Sequence, residues 1–142
     1  MNPLPALVLL PIAGGGVAWL AGRSRMAAAL RVHDAPWRIA LMTLVLETLV
    51  LLVATLRHPA HAEPWMAHFS MPWVPAMGIA VRLDMDGLSL ALVWLSLILC
   101  IACLFLATRQ VTASGGVFHF LLLATLAGVI GTFLAADLFL FF

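Results

Sequence analysis

Apolar residues gather in four long blocks, residues 4–22, 39–56, 88–108 and 115–135. Every charged residue except Glu47 lies outside them. Each block is long enough to cross a hydrocarbon core of about 30 Å at about 1.5 Å per helical residue. The pattern predicts four membrane-spanning helices. Pro3 and Pro5 suit the start of the first. Pro11 and the run Gly14-Gly15-Gly16 loosen it, which bilayer helices tolerate because neighbours can meet the freed backbone groups. The glycine run lacks a following Gly-Lys-Ser/Thr, so close helix packing is the expected reading rather than a phosphate loop.

The connections differ in character. The first, from Arg23 to Arg38, is polar and Arg-rich, with Trp37 as an interfacial anchor. The second, residues 57–87, is long and holds His58, His61, Glu63, His68, Trp65 and Trp73. Within it Ile79, Val81, Leu83 and Met85 alternate with Ala80, Arg82 and Asp84. That period of two predicts a short strand or extended arm at the membrane surface. Asp84 and Asp86 cannot enter hydrocarbon, so the third helix must begin near Gly87. Asp86 is the expected cap, its carboxylate facing the free N–H groups and the positive end of the helix dipole; Asp84 marks the same interface. The third connection is a short turn from Arg109 to Ser114. Asp137 opens a further apolar run to Phe142, about 9 Å of helix. This predicts the start of a fifth span and hence a fragment of a longer chain.

Composition sharpens the class. The chain has 142 residues, 65% hydrophobic and 9% charged, with mean hydropathy +1.15. Soluble domains carry about 25% charged residues, so lipid must be the solvent of this chain. Its net charge of +1 suggests no nucleic-acid partner and no acidic substrate. The first span carries no preceding Lys or Arg and is followed by Arg23 and Arg25, the reverse of a secretory signal. Five Arg flank spans one and three on their C-terminal sides and two lie in the second connection. The positive-inside rule then places the N-terminus, the His-rich connection and Asp137 outside.

Few residues carry candidate chemistry. Glu47 sits at the centre of the second span. A mid-membrane carboxylate costs several kcal/mol on insertion scales and marks a proton or ion path by default. The other reading is a protonated acid bonded to a neighbour such as Thr43 or Thr48. His119, one turn into the fourth span, is either packed and neutral or part of a proton relay. Asp137 is either a helix cap or a proton-gathering carboxylate at a channel mouth. Cys100 and Cys103 lie in an apolar span without a third ligand and read as small buried hydrophobes. His58, His61, Glu63 and His68 lack a visible scaffold, so no metal site is expected. Ala124, Gly128, Thr132 and Ala135 or Ala136 form a small-residue face suited to partner helices.

Several stretches resemble one family. Met71-Pro72-Trp73-Val74-Pro75, Leu83-Asp84-Met85-Asp86-Gly87-Leu88-Ser89, Gly116-Val117-Phe118-His119-Phe120 and the run from Gly128 to Phe142 are similar, in order and spacing, to chain M of the proton-pumping NADH-quinone oxidoreductase, bacterial respiratory complex I. The resemblance implies an all-α polytopic membrane fold, with four spans plus the start of a fifth and an extended arm between spans two and three. It implies a contribution to proton translocation coupled to NADH oxidation and quinone reduction, in a bacterial inner membrane and beside other membrane-arm subunits. NADH and quinone would be bound by those other subunits, so no cofactor and no redox site is expected here. Asp137 matches the family's Asp at the opening of span five, whereas Glu47 departs from the family pattern. The family's Glu in span five would fall beyond Phe142, and no Lys is present, so a chain this short is not expected to pump alone. A related cation/proton antiporter or membrane-bound hydrogenase chain, or a small four-span structural protein, are the alternatives.

Overall fold

The structure is a computed structural model that describes residues 3–23, 35–56, 67–74, 79–107 and 115–137. Four helices, α1 (Leu4–Arg23), α2 (Ala35–Leu56), α3 (Gly87–Ala107) and α4 (Gly115–Leu134), are each long and apolar enough to span a membrane. Two strands, β1 (Ala67–Val74) and β2 (Ile79–Met85), precede α3. The chain is an all-α polytopic membrane fold in its spanning part.

Local chemistry sets the helix ends. Helix α2 starts at Ala35, four residues before the apolar block, because Pro36 fits a first turn whose N–H groups have no partner anyway. Trp37 and Arg38 therefore join the helix. At α3, Asp86 accepts the Ser89 N–H on Oδ1 at 2.6 Å, and its carbonyl accepts the Leu90 N–H at 3.0 Å. Proline does not end α1: the helix runs through Pro11, which is fully buried.

The helices alternate in direction. A Cβ on Gly22 would stand 2.7 Å from Gly116 Cα and 3.5 Å from Pro36 Cγ, so one end of α1 meets the beginnings of both α2 and α4. A Cβ on Gly14 would lie 2.8 Å from Thr43 Cβ, and one on Gly15 would lie 3.3 Å from the Phe120 carbonyl. Glycine is what lets these backbones approach, and small residues drive helix association in lipid by close packing. The core runs through one stripe of each helix: Leu4, Leu7 and Ala18; Ala40, Leu44 and Leu51; Val93, Leu97 and Leu104; Leu123, Ile130 and Leu134. Outward positions such as Leu9, Met42, Leu56, Leu95, Leu99, Leu106 and Leu121 are exposed, as lipid-facing side chains should be.

The alternating stretch before α3 has a partner that the sequence did not disclose. β1 and β2 form an antiparallel pair with Phe69 opposite Leu83 and His68 opposite Asp84, and the register shifts between Pro72 and Val74. Proline cannot donate to a ladder, which accounts for an irregularity there. Leu83 and Met85 are buried, while Arg82 is exposed. The hairpin is tied to the end of α4: Leu83 bridges Ala135, and the Ala136 N–H donates to the Arg82 carbonyl at 3.0 Å. The expected fifth span, beyond Asp137, lies outside the described residues.

Candidate functional site

Three buried polar side chains stand among the described residues: Glu47 at 1% exposure, His119 at 7% and Thr43 at 8%. All come from α2 and α4, which both pack on α1 and also touch each other. The Gly22, Pro36 and Gly116 contact supplies a common level from which depth can be measured. His119 is three residues from Gly116, about 4.5 Å inward. Thr43 is seven residues from Pro36, about 10.5 Å inward, and Glu47 is eleven, about 16.5 Å inward. Glu47 thus lies close to the midplane of a core about 30 Å thick.

Each polar group is held differently. The Thr43 hydroxyl donates to the Ile39 carbonyl at 2.8 Å, and Thr48 donates to the Leu44 carbonyl at 2.7 Å. Neither hydroxyl bonds Glu47, whose two carboxyl oxygens are buried without a hydrogen-bond partner among the described residues. His119 stacks edge-on against Phe118 with ring centres 5.4 Å apart. By the Gly14–Thr43 and Gly22–Pro36 contacts, Glu47 is level with Leu10 and Pro11 of α1. Pro11 has no N–H, so the Leu7 carbonyl, about one helical turn further from Gly22, loses its usual donor.

The other sequence candidates fall elsewhere. Asp137 follows α4 at the hairpin end, and Leu134, where the helix stops, is already about 22 Å along the axis from His119, so the structure does not gather the three proton-path candidates into one cluster. Asp84 pairs with His68 across the hairpin. Asp86 caps α3; hydrogen bonds from Ser89, its side chain first and its backbone second, hold the carboxyl below its ordinary value. Cys100 is buried and Cys103 is exposed on the outer face of α3, so only one of the two fits the expectation of a buried small hydrophobe. His58, His61 and Glu63 lie outside the described residues. Within those described, no group of three or more His, Cys, Asp or Glu comes together.

The end bearing Gly22 also carries aromatic and cationic anchors. The Arg23 guanidinium lies over Trp19, 5.5 Å from the ring centre. Trp19 lies 6.4 Å from Phe120, and Trp37 packs edge-on against Phe105 at 6.1 Å. Such rings suit the headgroup level, where an apolar body meets a wet boundary. Trp37 Nε1 is covered and has no hydrogen-bond partner among the described residues.

Sequence comparison adds what geometry alone does not. No protein-family model matches the chain. NADH-quinone oxidoreductase subunit M of Escherichia coli K12 is 37% identical over 98% of this chain, and subunit M of Pseudomonas aeruginosa is 40% identical over the same share. Chloroplastic NAD(P)H-quinone oxidoreductase chain 4 of Chara vulgaris is 40% identical over 58% of the chain and 16% of its own length. The chain spans 27% of the length of the two subunit M relatives.

Proposed function

We propose that this chain, a homologue of the N-terminal part of NADH-quinone oxidoreductase subunit M, serves in the membrane arm of such an enzyme and contributes to proton translocation there. The observation that carries the reading is similarity along nearly the whole chain to subunit M, on a bundle whose four helices suit a bilayer. NADH oxidation and quinone reduction would occur in other subunits, and the chain itself would hold no cofactor. Its contribution would be scaffolding and charge: helices that pack by small residues, a carboxylate at mid-membrane, and Asp137 where α4 meets the hairpin.

The proposed setting is a bacterial inner membrane with the hairpin outside and the end bearing Arg23 and Arg38 inside. Two measurements test the reading. An affinity-tagged chain, extracted in mild detergent, should carry NADH-quinone oxidoreductase activity and the other membrane-arm subunits with it. Recovery of the tagged chain free of them would overturn the assignment. For orientation, a reporter fused after Arg31 should stay on the cytoplasmic side; export of that reporter would reverse it.

A further inference from the structure

The outward face of α4 changes character halfway along. Its exposed positions recur at helical spacing: Val117 and Leu121 in the first turns, then Thr125, Gly128 and Thr132, with Ala136 just past the end. Outward positions in the hairpin-side half of α2 and α3 hold large side chains instead, Leu49, Leu52 and Leu56 on one and Leu88 and Leu95 on the other. Small residues are what one membrane helix offers another for close approach. A Cβ on Gly128 would meet no atom within 4 Å among the described residues, so the face is open there. The Thr125 and Thr132 hydroxyls donate to the Leu121 and Val129 carbonyls, each at 2.8 Å. The face therefore asks for no polar partner. The other sides of α4 are taken. Gly15 of α1 lies against Phe120 and Leu123, Val8 approaches Gly131, and α3 packs alongside.

We propose that the Thr125–Gly128–Thr132 face seats the fifth span, which opens with Leu138–Phe142 and folds back antiparallel along α4. The proposal rests on the reading above only for chain beyond Phe142, since the sequence spans 27% of the length of its two subunit M relatives. Reach decides the position. At the foot of α4 the chain leaves through Ala135 and Ala136, which β2 holds by the Leu83 bridge and the Arg82 carbonyl. Four residues carry it from Leu134 to Leu138, about 14 Å at full stretch. Packed helices stand about 8–10 Å apart, so the span can lie beside α4 but not one helix further out. Connections this short join antiparallel neighbours. With α1 and α3 on its other sides, α4 has this face left to offer. Size agrees with reach. Leu138, Phe139, Leu140, Phe141 and Phe142 are all large and apolar, and large side chains interdigitate with small ones across a helix contact.

Disulfide mapping tests this in membranes holding the intact chain, with Cys100 and Cys103 replaced by Ala. Thr132→Cys is paired in turn with Phe139→Cys, Leu140→Cys, Phe141→Cys and Phe142→Cys, and each pair is oxidised with copper phenanthroline. A disulfide needs Cα atoms about 4.4–6.8 Å apart, so one or two of the four pairs should close within one chain. Leu121→Cys, on the same face but about 16 Å further along the axis, should close with none of them. Where the variants fail to insert, the unsubstituted chain is mapped with a photoactivatable phospholipid. Adducts should fall on Leu95 and Leu99 of α3 and be absent from Thr125, Gly128 and Thr132. No closure at any of the four positions, equal closure from Leu121 and Thr132, a disulfide joining two copies, or lipid adducts on Thr125–Thr132 at the yield seen on Leu95 would overturn the proposal. A chain recovered without oxidoreductase subunits would refute the assembly reading and leave both measurements decisive for the α4 face.

Discussion

The backbones of Gly22 and Gly116 touch with no side chain between them: a Cβ on Gly116 would stand 3.0 Å from Gly22 Cα. This contact brings the end of α1 to the beginning of α4, and Pro36 joins it from α2. Substituting Val at position 116 should destabilise the bundle by about 1–3 kcal/mol, as overpacking does where the opposing atoms are backbone. The pair Gly22→Ala and Gly116→Ala should be non-additive, because both intrude on one contact. Unfolding in mixed micelles by added denaturing detergent measures both.

Glu47 is buried without a bonding partner among the described residues, so its presence should cost stability. Glu47→Leu is expected to make the bundle more stable by about 1–3 kcal/mol, the cost of an unsatisfied buried polar group. The same unfolding titration reads it. A loss of stability of that size would mean that the carboxyl makes a favourable bond in the folded chain.

Asp86 caps α3 through the Ser89 N–H at 2.6 Å. Asp86→Ala should cost about 1 kcal/mol, while Asp86→Asn should keep most of the cap. Its folded-state pKa lies below the ordinary 3.8. The stability it contributes is therefore fully present above about pH 4 and is lost as pH falls through the folded value. Unfolding titrations at pH 6 and at pH 3 should show a larger wild-type-to-Ala gap at the higher pH.

The His68–Asp84 pair joins β1 to β2, with the His68 side chain 61% exposed. Exposed ion pairs contribute about 0–1 kcal/mol. His68→Ala should leave the hairpin in place, because Leu83, Met85 and the Ala136–Arg82 hydrogen bond hold it to the bundle. Amide hydrogen exchange at Ala136 should be nearly unchanged in His68→Ala. Leu83→Ala should speed it markedly by removing buried apolar surface from that joint.

The apolar blocks, the cap at Asp86 and the carboxyl of Glu47 within a span were all legible along the chain. Each is a local matter: helix length against bilayer thickness, one carboxylate beside free N–H groups, one acidic side chain amid hydrocarbon. Helix α2 begins four residues earlier than its apolar block because Pro36, Trp37 and Arg38 can sit at an interface, which hydropathy counts against a span. Period-two alternation marked Ile79–Met85 as extended, but pairing with Ala67–Val74 depends on two distant segments meeting.

What the sequence determined by itself was the solvent of each segment, since transfer between water and lipid is settled by a residue's own chemistry and that of its near neighbours. Only the tertiary structure decided which side of each helix turns inward. It put Thr43 against Gly14, left Cys103 facing out while Cys100 is buried, separated Asp137 from His119 by the length of a helix, and aligned His119, Thr43 and Glu47 in depth. Facing depends on which backbones can approach one another, and that is fixed jointly by glycines on one helix and side chains on another.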